Sequence, residues 1–335
     1  MAYIYLIRHA MPDIPLGERW CIGRTDLPLG TVGRLQAALL PFVPELQGLP
    51  VFCSTLSRAY ETALALCPNP TVVEGLQEQD MGVWDGLSFT EIRTLYPELY
   101  AARELMPELI PAGSEPNEQV ILRMRSAVLH CAELAEGSDC VIVSHKSAIA
   151  TLTGNRRLLE HTSISVLDGK LRPLEIGRLP CPALDEPVCL ALLRAAGVPQ
   201  QVTEHCQAVT RRAVELSDCV CAPYVPVDRE LLLSAALLHD IAKGHPDHVE
   251  LGATWIATLG YPEVAELIRQ HNDFDGDCPN EAALLFLADK TVQGTKCVTV
   301  EERFAASAGR CRTLEAKAAH ARRYQAAKQV EAMLS

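Results

Sequence analysis

The chain has no apolar run of membrane-spanning length, no low-complexity tract, no CxxC pair and few aromatic residues, 5% of the total. The first absence excludes a transmembrane helix, and the second, with 48% hydrophobic residues, argues against a disordered class. Thirteen cysteines are present, but the number is odd and they are scattered, Cys219 and Cys221 being the closest pair. Reduced thiols acting as small hydrophobes are expected. The opening MAYIYLIRHAMPD carries neither a basic leader nor a small-residue cleavage site, so a cytoplasmic protein is expected. Positive charge is also short, with 30 Lys and Arg against 42 Asp and Glu and a net charge of −12. Such a surface disfavours nucleic-acid polymers and anionic membranes as partners. A small phosphorylated metabolite needs only a few converging cations, and a homo-oligomer stays open.

At 335 residues the chain exceeds what one core usually supports, so two domains are expected. YIYLIRH, VFCSTLSR (51–58), TVVEGLQE (71–78) and DCVIVSHK (139–146) read as short apolar strands ending in polar residues. Helix-like stretches at 33–47, 58–66 and 116–136 lie between them, which predicts an α/β layered domain with a mostly parallel sheet. Ligands of such sheets bind beyond the carboxyl ends of the strands, and Arg8, His9, Arg58, Glu78 and His145 sit at or just past those ends. After Gly177 the pattern changes. Pro180, Pro182 and Pro187 mark a linker over 179–187 between a first domain at 1–178 and a second at 188–335. The second domain reads as all α, with the tail 311–335 as a packing helix.

The five first-half residues suit phosphoryl transfer. That reaction needs a neutral imidazole, cations around the phosphoryl oxygens and an acid for the leaving oxygen, and arginine pairs with phosphate through two hydrogen bonds. The blocks LIRHA (6–10), GRTDLPLGTVGRLQA (23–37), CSTLSRAYETA (53–63), LQEQDMGVWDGLS (76–88) and VSHKSAI (143–149) resemble the histidine phosphatase superfamily, with its phosphoglycerate mutase-like fold, in particular the α-ribazole phosphatase-like branch. The resemblance implies that His9 is phosphorylated, that Arg8, Arg58 and His145 bind the phosphoryl oxygens, and that Glu78 is the general acid and later the base, with no cofactor. The chain departs from the family in Ala10 where glycine is common, in lacking an asparagine in the following segment, and in Lys146 and Ser147 after the second histidine. Lys146 reads either as an added substrate-binding cation or as a solvent-facing lysine.

In the second half, His205 shares a helix face with Val209 and Leu216, His271 shares one with Val264, Leu267 and Ile268, and Asp289 lies in the apolar run ALLFLADK. Turned inward, such groups are costly unless partnered. A metal cluster resolves the cost, since imidazoles and carboxylates suit Fe, Mn, Ni, Co or Zn; hydrogen-bonded core histidines are the alternative. The run from about Val202 to Gln293, with LLHDIAKG at its centre, resembles HD-domain metal-dependent phosphohydrolases. The resemblance implies that His205, His239, Asp240 and Asp289 form the basic ligand set, and that His248 and His271 complete a site for one or two divalent transition metals. His248 is preferred over His245 because it heads the apolar helix, while Asn272 replaces a second histidine found in many binuclear members. Lys243 and Arg269 read either as phosphate ligands or as surface charges. His130, His161 and His320 have no comparable context and read as structural or solvated.

The expectation is a bifunctional phosphohydrolase, with a phosphomonoesterase acting through His9 and a metal-dependent HD half acting on a nucleotide-like phosphoester or phosphoanhydride. The alternatives are unrelated substrates for the two halves, or one half acting as a phosphate-ligand sensor that regulates the other.

Overall fold

The computed structural model describes residues 2–106, 109–155, 159–220 and 227–334. Cys221, of the closest cysteine pair, lies outside the described residues. The chain divides into two compact units, residues 1–182 and 183–335.

In chain order the first unit runs β1 (Tyr3–Arg8), β2 (Trp20–Cys21), α1 (Thr31–Leu39), β3 (Val51–Cys53), α2 (Ser57–Leu64), β4 (Thr71–Val72), β5 (Leu87–Ser88), α3 (Phe89–Leu95), α4 (Pro97–Leu105), α5 (Asn117–Leu134), β6 (Cys140–Ser144), α6 (Lys146–Thr153), β7 (Ile164–Asp168) and β8 (Pro173–Arg178). Six strands form one sheet in the order β4-β3-β6-β1-β7-β8. The first four are mutually parallel, and β7 and β8 join antiparallel. Alternation along β1 builds the layers, because successive side chains face opposite ways. Ile4 and Leu6 pack with Met124, Val128 and Cys131 of α5, while Tyr5 and Ile7 pack on the other face with Ala59 and Ala63 of α2. The thiols of Cys53, Cys131 and Cys140 are core groups, and burial pushes that of Cys140 up to about 11.

Two site residues lie farther from strand ends than the sequence suggests. Arg58 is in the first turn of α2. The stretch 71–78 is a strand only at Thr71–Val72, because Arg123 of α5 takes the carbonyls of Gly75, Gln77 and Glu78 at 2.8, 2.7 and 3.1 Å. Those carbonyls are satisfied without a sheet partner.

The second unit contains α7 (Glu186–Ala195), α8 (Gln200–Asp218), α9 (Arg229–Leu238), α10 (His248–Thr258), α11 (Pro262–Gln270), α12 (Glu281–Lys290), β9 (Val292–Gln293), β10 (Lys296–Cys297), α13 (Val300–Ala308) and α14 (Leu314–Met333). Every residue of α12 from Ala282 to Lys290 is buried, so this helix is the unit's core rod and α8, α9 and α11 pack around it.

Three details refine the sequence reading. Glu186 and Pro187, read as linker, open α7 behind the N-cap Asp185, whose side chain accepts from Val188 N; proline fits a first helical turn without losing a bond. The unit read as all α holds one hairpin, β9–β10, whose two-residue connection uses Gly294 at φ 60, a left-handed conformation suited to glycine. The helix α13, absent from the sequence reading, starts at a capping box between Thr299 and Glu302, a signature present in the sequence.

Candidate functional site

Arg8 ends β1, and His9 follows with its backbone N–H bonded to Ser144 O at 2.9 Å. The ring is buried, and its Nδ1 lies 2.7 Å from Ala10 O. A proton on Nδ1 donated to that carbonyl leaves the Nε2 lone pair exposed to the site. Arg58 Nε donates to His9 Nε2 at 3.2 Å. Burial, aided by His145, Arg58 and Arg8, holds the His9 pKa well below the ordinary histidine value, so the imidazole is neutral at neutral pH.

Arg58 is itself fixed by Thr25 O and Gly23 O at 2.9 and 2.8 Å. The loop carrying those carbonyls hangs on Asp85, whose carboxylate accepts from the backbone N–H groups of Gly23, Arg24 and Thr25 at 2.7–2.9 Å. His145, the N-cap of α6, has Nε2 2.8 Å from Ser54 Oγ, while its buried Nδ1 has no partner among the described residues. The His9 and His145 ring centroids are 5.0 Å apart. Glu78 accepts from Gln79 N, Ala148 N and Ser147 N at 2.8, 2.9 and 3.0 Å, so the start of α6 fixes its carboxylate. Ala10, the departure from glycine, is buried with Leu29 and Ala37, and its N–H bonds Thr62 Oγ1. Its methyl therefore points into packing.

His161, read from the sequence as structural or solvated, belongs to this cluster. Its Nε2 lies 2.8 Å from Arg8 Nη2, and its ring centroid is 5.7 Å from that of His9. Arg8 Nη1 donates to Leu159 O, leaving the buried Arg8 Nε as the atom without a partner among the described residues. A cavity of about 750 Å³ opens here, lined by Arg8, His9, Glu78, Lys146 and His161 and, farther out, by Trp20, Trp84, Phe89, Arg19 and Arg103. Lys146 thus faces the cavity, and burial, with Arg8 and Arg19 nearby, lowers its pKa.

The second cluster surrounds the turn after α9. His239 Nδ1 lies 2.8 Å from Ala236 O, His271 Nδ1 2.7 Å from Ile268 O and His205 Nδ1 2.8 Å from Gly294 O on the β9–β10 turn. Each carbonyl takes an Nδ1 proton and leaves an Nε2 lone pair. The Nε2 atoms converge on two carboxylates. Asp289 Oδ1 is 3.3 Å from His205 and 3.8 Å from His239; Asp240 is 3.7 Å from His239, 3.7 Å from His248 and 4.0 Å from His271. Two triads result, His205 with His239 and Asp240, and Asp240 with His248 and His271, each with ligand atoms within 4.8 Å of one another. Asp240 is common to both.

The donor set fits a divalent transition metal. The buried Nε2 atoms of His239 and His248 have no hydrogen-bond partner among the described residues, an expensive state for a purely structural cluster. Burial holds the His271 pKa far below its usual value and lowers that of His248, so both are neutral, as ligands must be. Although burial opposes it, Lys290, His205 and His239 hold Asp289 ionised. Lys290, itself buried, reaches Asp289 Oδ2 at 2.6 Å and leaves Oδ1 to the histidines. Lys243 sits at Asp240, 3.0 Å away and half exposed. Arg269 pairs instead with Glu250 and Glu266, and His245 stacks edge-on against Trp255.

Residues 4–166 match the histidine phosphatase superfamily (branch 1), and residues 202–293 match the HD domain. The chain is 31% identical over 216 residues to the probable phosphoglycerate mutase GpmB of Yersinia enterocolitica, covering 56% of this chain and 99% of that protein. It is 31% identical over 155 residues to the bifunctional protein Rv2228c of Mycobacterium tuberculosis, covering 44% of this chain and 42% of that protein, so the match spans less than half of that relative. It is also 31% identical over 166 residues to the glucosyl-3-phosphoglycerate phosphatase of M. tuberculosis, covering 45% of this chain and 73% of that protein.

Proposed function

Because the chain belongs to the histidine phosphatase superfamily through residues 4–166 and carries an HD domain at 202–293, we propose that it is a bifunctional phosphohydrolase of small phosphorylated metabolites. The phosphatase half would occupy residues 1–178 and the HD phosphohydrolase 188–335, on either side of 179–187, in a cytoplasmic protein. Among the described residues no helix is long and apolar enough to cross a membrane.

In the first half, His9 Nε2 attacks phosphorus, the N–P bond forms as the P–O bond breaks, and Glu78 gives its proton to the leaving alkoxide. Water then attacks the phosphohistidine, Glu78 takes its proton, and phosphate leaves. Arg8, Arg58 and His145 bear the charge that develops on the phosphoryl oxygens, and Lys146 adds a cation beside them. The observation that carries this reading is the fixed tautomer of His9, with Nδ1 against Ala10 O and Nε2 against Arg58 Nε.

In the second half, His205, His239, Asp240, His248, His271 and Asp289 would hold one or two divalent transition metals. When bound, the metal supplies Lewis acidity that polarises a phosphoryl oxygen and activates water. The backbone carbonyls behind His205, His239 and His271 keep the Nε2 atoms turned inward, Lys290 orients Asp289, and the half-exposed Lys243 is placed to meet substrate phosphate. The substrate proposed here is a nucleotide-like phosphoester or phosphoanhydride.

A panel of phosphomonoesters and nucleotides assayed with and without chelator tests both halves. Monoesterase activity that survives chelator and disappears in His9→Ala, alongside a second activity that chelator abolishes, is expected. Full monoesterase activity in His9→Ala would sink the nucleophile assignment.

A further inference from the structure

The HD match ends at residue 293, yet the cavity over the second cluster does not. It measures about 600 Å³, with His205, Asp240, His271 and Asp289 on one wall and Arg303, Arg310, His320 and Arg323 of the α13–α14 segment on the other. The sequence reading gave the tail only a packing role. The packing role belongs to the Ala327 and Val330 side of α14, while basic residues of the α13–α14 segment line the cavity.

The charges on this wall are unevenly matched. Asp240 is taken by Lys243, Asp289 by Lys290, and Asp273 by both nitrogens of an Arg323 fork at 2.7 Å. Arg303 and Arg310 have no carboxylate partner among the described residues. Arg303 Nε is shielded from water and lacks any hydrogen-bond partner there, although an unmade bond at a buried donor is costly. In a chain of net charge −12, two unmatched guanidinium groups at one cavity mark a place where an anion belongs. Guanidinium forks match phosphate oxygens bidentately.

We infer that α13 and the segment leading from it to α14 form a second anion subsite, and that the HD half takes ligands carrying an oligophosphate, one phosphoryl group lying at the metal-ligand cluster and a further one at Arg303 and Arg310. This rests on the reading of the six residues as a metal centre. It deepens that reading by requiring more than one phosphate in the ligand.

The test is calorimetric titration of the full chain with sodium tripolyphosphate and with orthophosphate. The chain carries Arg58→Ala, which removes a phosphate ligand of the first site, and is desalted without chelator, so that bound metal stays in place and none in solution complexes the titrant. Tripolyphosphate should bind more tightly than orthophosphate, and should weaken at least tenfold in Arg303→Gln and in Arg310→Glu. Arg310 is exposed, so its variant leaves packing intact, which an unchanged thermal melt verifies. Tripolyphosphate binding that is absent, or unaltered in both variants, overturns the subsite. Metal content of the same sample is measured in parallel. A chain without transition metal that keeps arginine-dependent binding fails the metal reading alone, and one with metal but no arginine dependence fails the subsite alone.

Discussion

Arg58 donates its Nε–H to His9 Nε2 across 3.2 Å, so the group that would steady the phosphoryl oxygens already lies at the nitrogen that would attack phosphorus. Both remaining Arg58 nitrogens are spent on the carbonyls of Gly23 and Thr25. The arginine is therefore aimed by a loop, and the loop by Asp85.

Asp85→Ala should release that loop. Three backbone N–H groups lose their acceptor, and the expected cost is about 2 kcal/mol or more of stability, with a further fall in monoesterase kcat. Thermal unfolding and steady-state kinetics check it. A variant with wild-type melting and wild-type kcat contradicts the arrangement.

His161 accepts from Arg8 Nη2, so an acceptor at that position matters more than a ring. His161→Phe should lose about 1.5–3 kcal/mol of transition-state stabilisation, roughly 10–100-fold in kcat/KM, while His161→Gln should recover part of it. Equal activity in the two variants would show that the ring merely fills space.

Acid should destabilise the first unit. His9, His145 and His161 are each held well below the ordinary value of 6.5, chiefly by burial, with neighbouring positive groups adding to it. Unfolded, the same residues take up protons as pH falls through about 6.5, and the native state does not. The stability they contribute is thus complete above that value and lost below it, by up to about 1.4 kcal/mol per pH unit for each histidine. Calorimetry between about pH 7 and pH 5 should record a melting temperature that drops toward acid. A level or rising temperature would count against neutral burial of the three rings.

Metal loading should depend on Asp240 and, one step removed, on Lys290. Asp240→Ala removes the carboxylate common to both triads and should empty the site more fully than His205→Ala. Lys290→Met leaves the buried Asp289 without its ammonium partner and should weaken metal affinity by roughly 10–100-fold. Elemental analysis and chelator competition read both effects; unchanged metal content in Asp240→Ala would remove the proposed ligand set.

Much of the first site could be read along the chain, because Arg8 ends β1, His9 and His145 directly follow β1 and β6, and a strand-end position is a local property. Glu78 and Arg58 were recognisable by their motif blocks, whereas their placement was not. One depends on Arg123 gathering three carbonyls, the other on a helical turn. His161 gave no signal, since nothing in LLEHTS indicates that an arginine over 150 positions earlier will donate to it.

In the second unit, the apolar run of α12 determined by itself that Asp289 would be buried, and helical spacing determined that His205 and His271 would turn inward. Periodicity reports which face leaves water, and burial of a charge then demands a partner. Which partner answers is a matter of packing. The Gly294 turn reaching His205, Asp240 standing between two histidine pairs, and the arginines of α13 and α14 opposite them all join residues far apart in the chain, and only the assembled helices bring those atoms within bonding range.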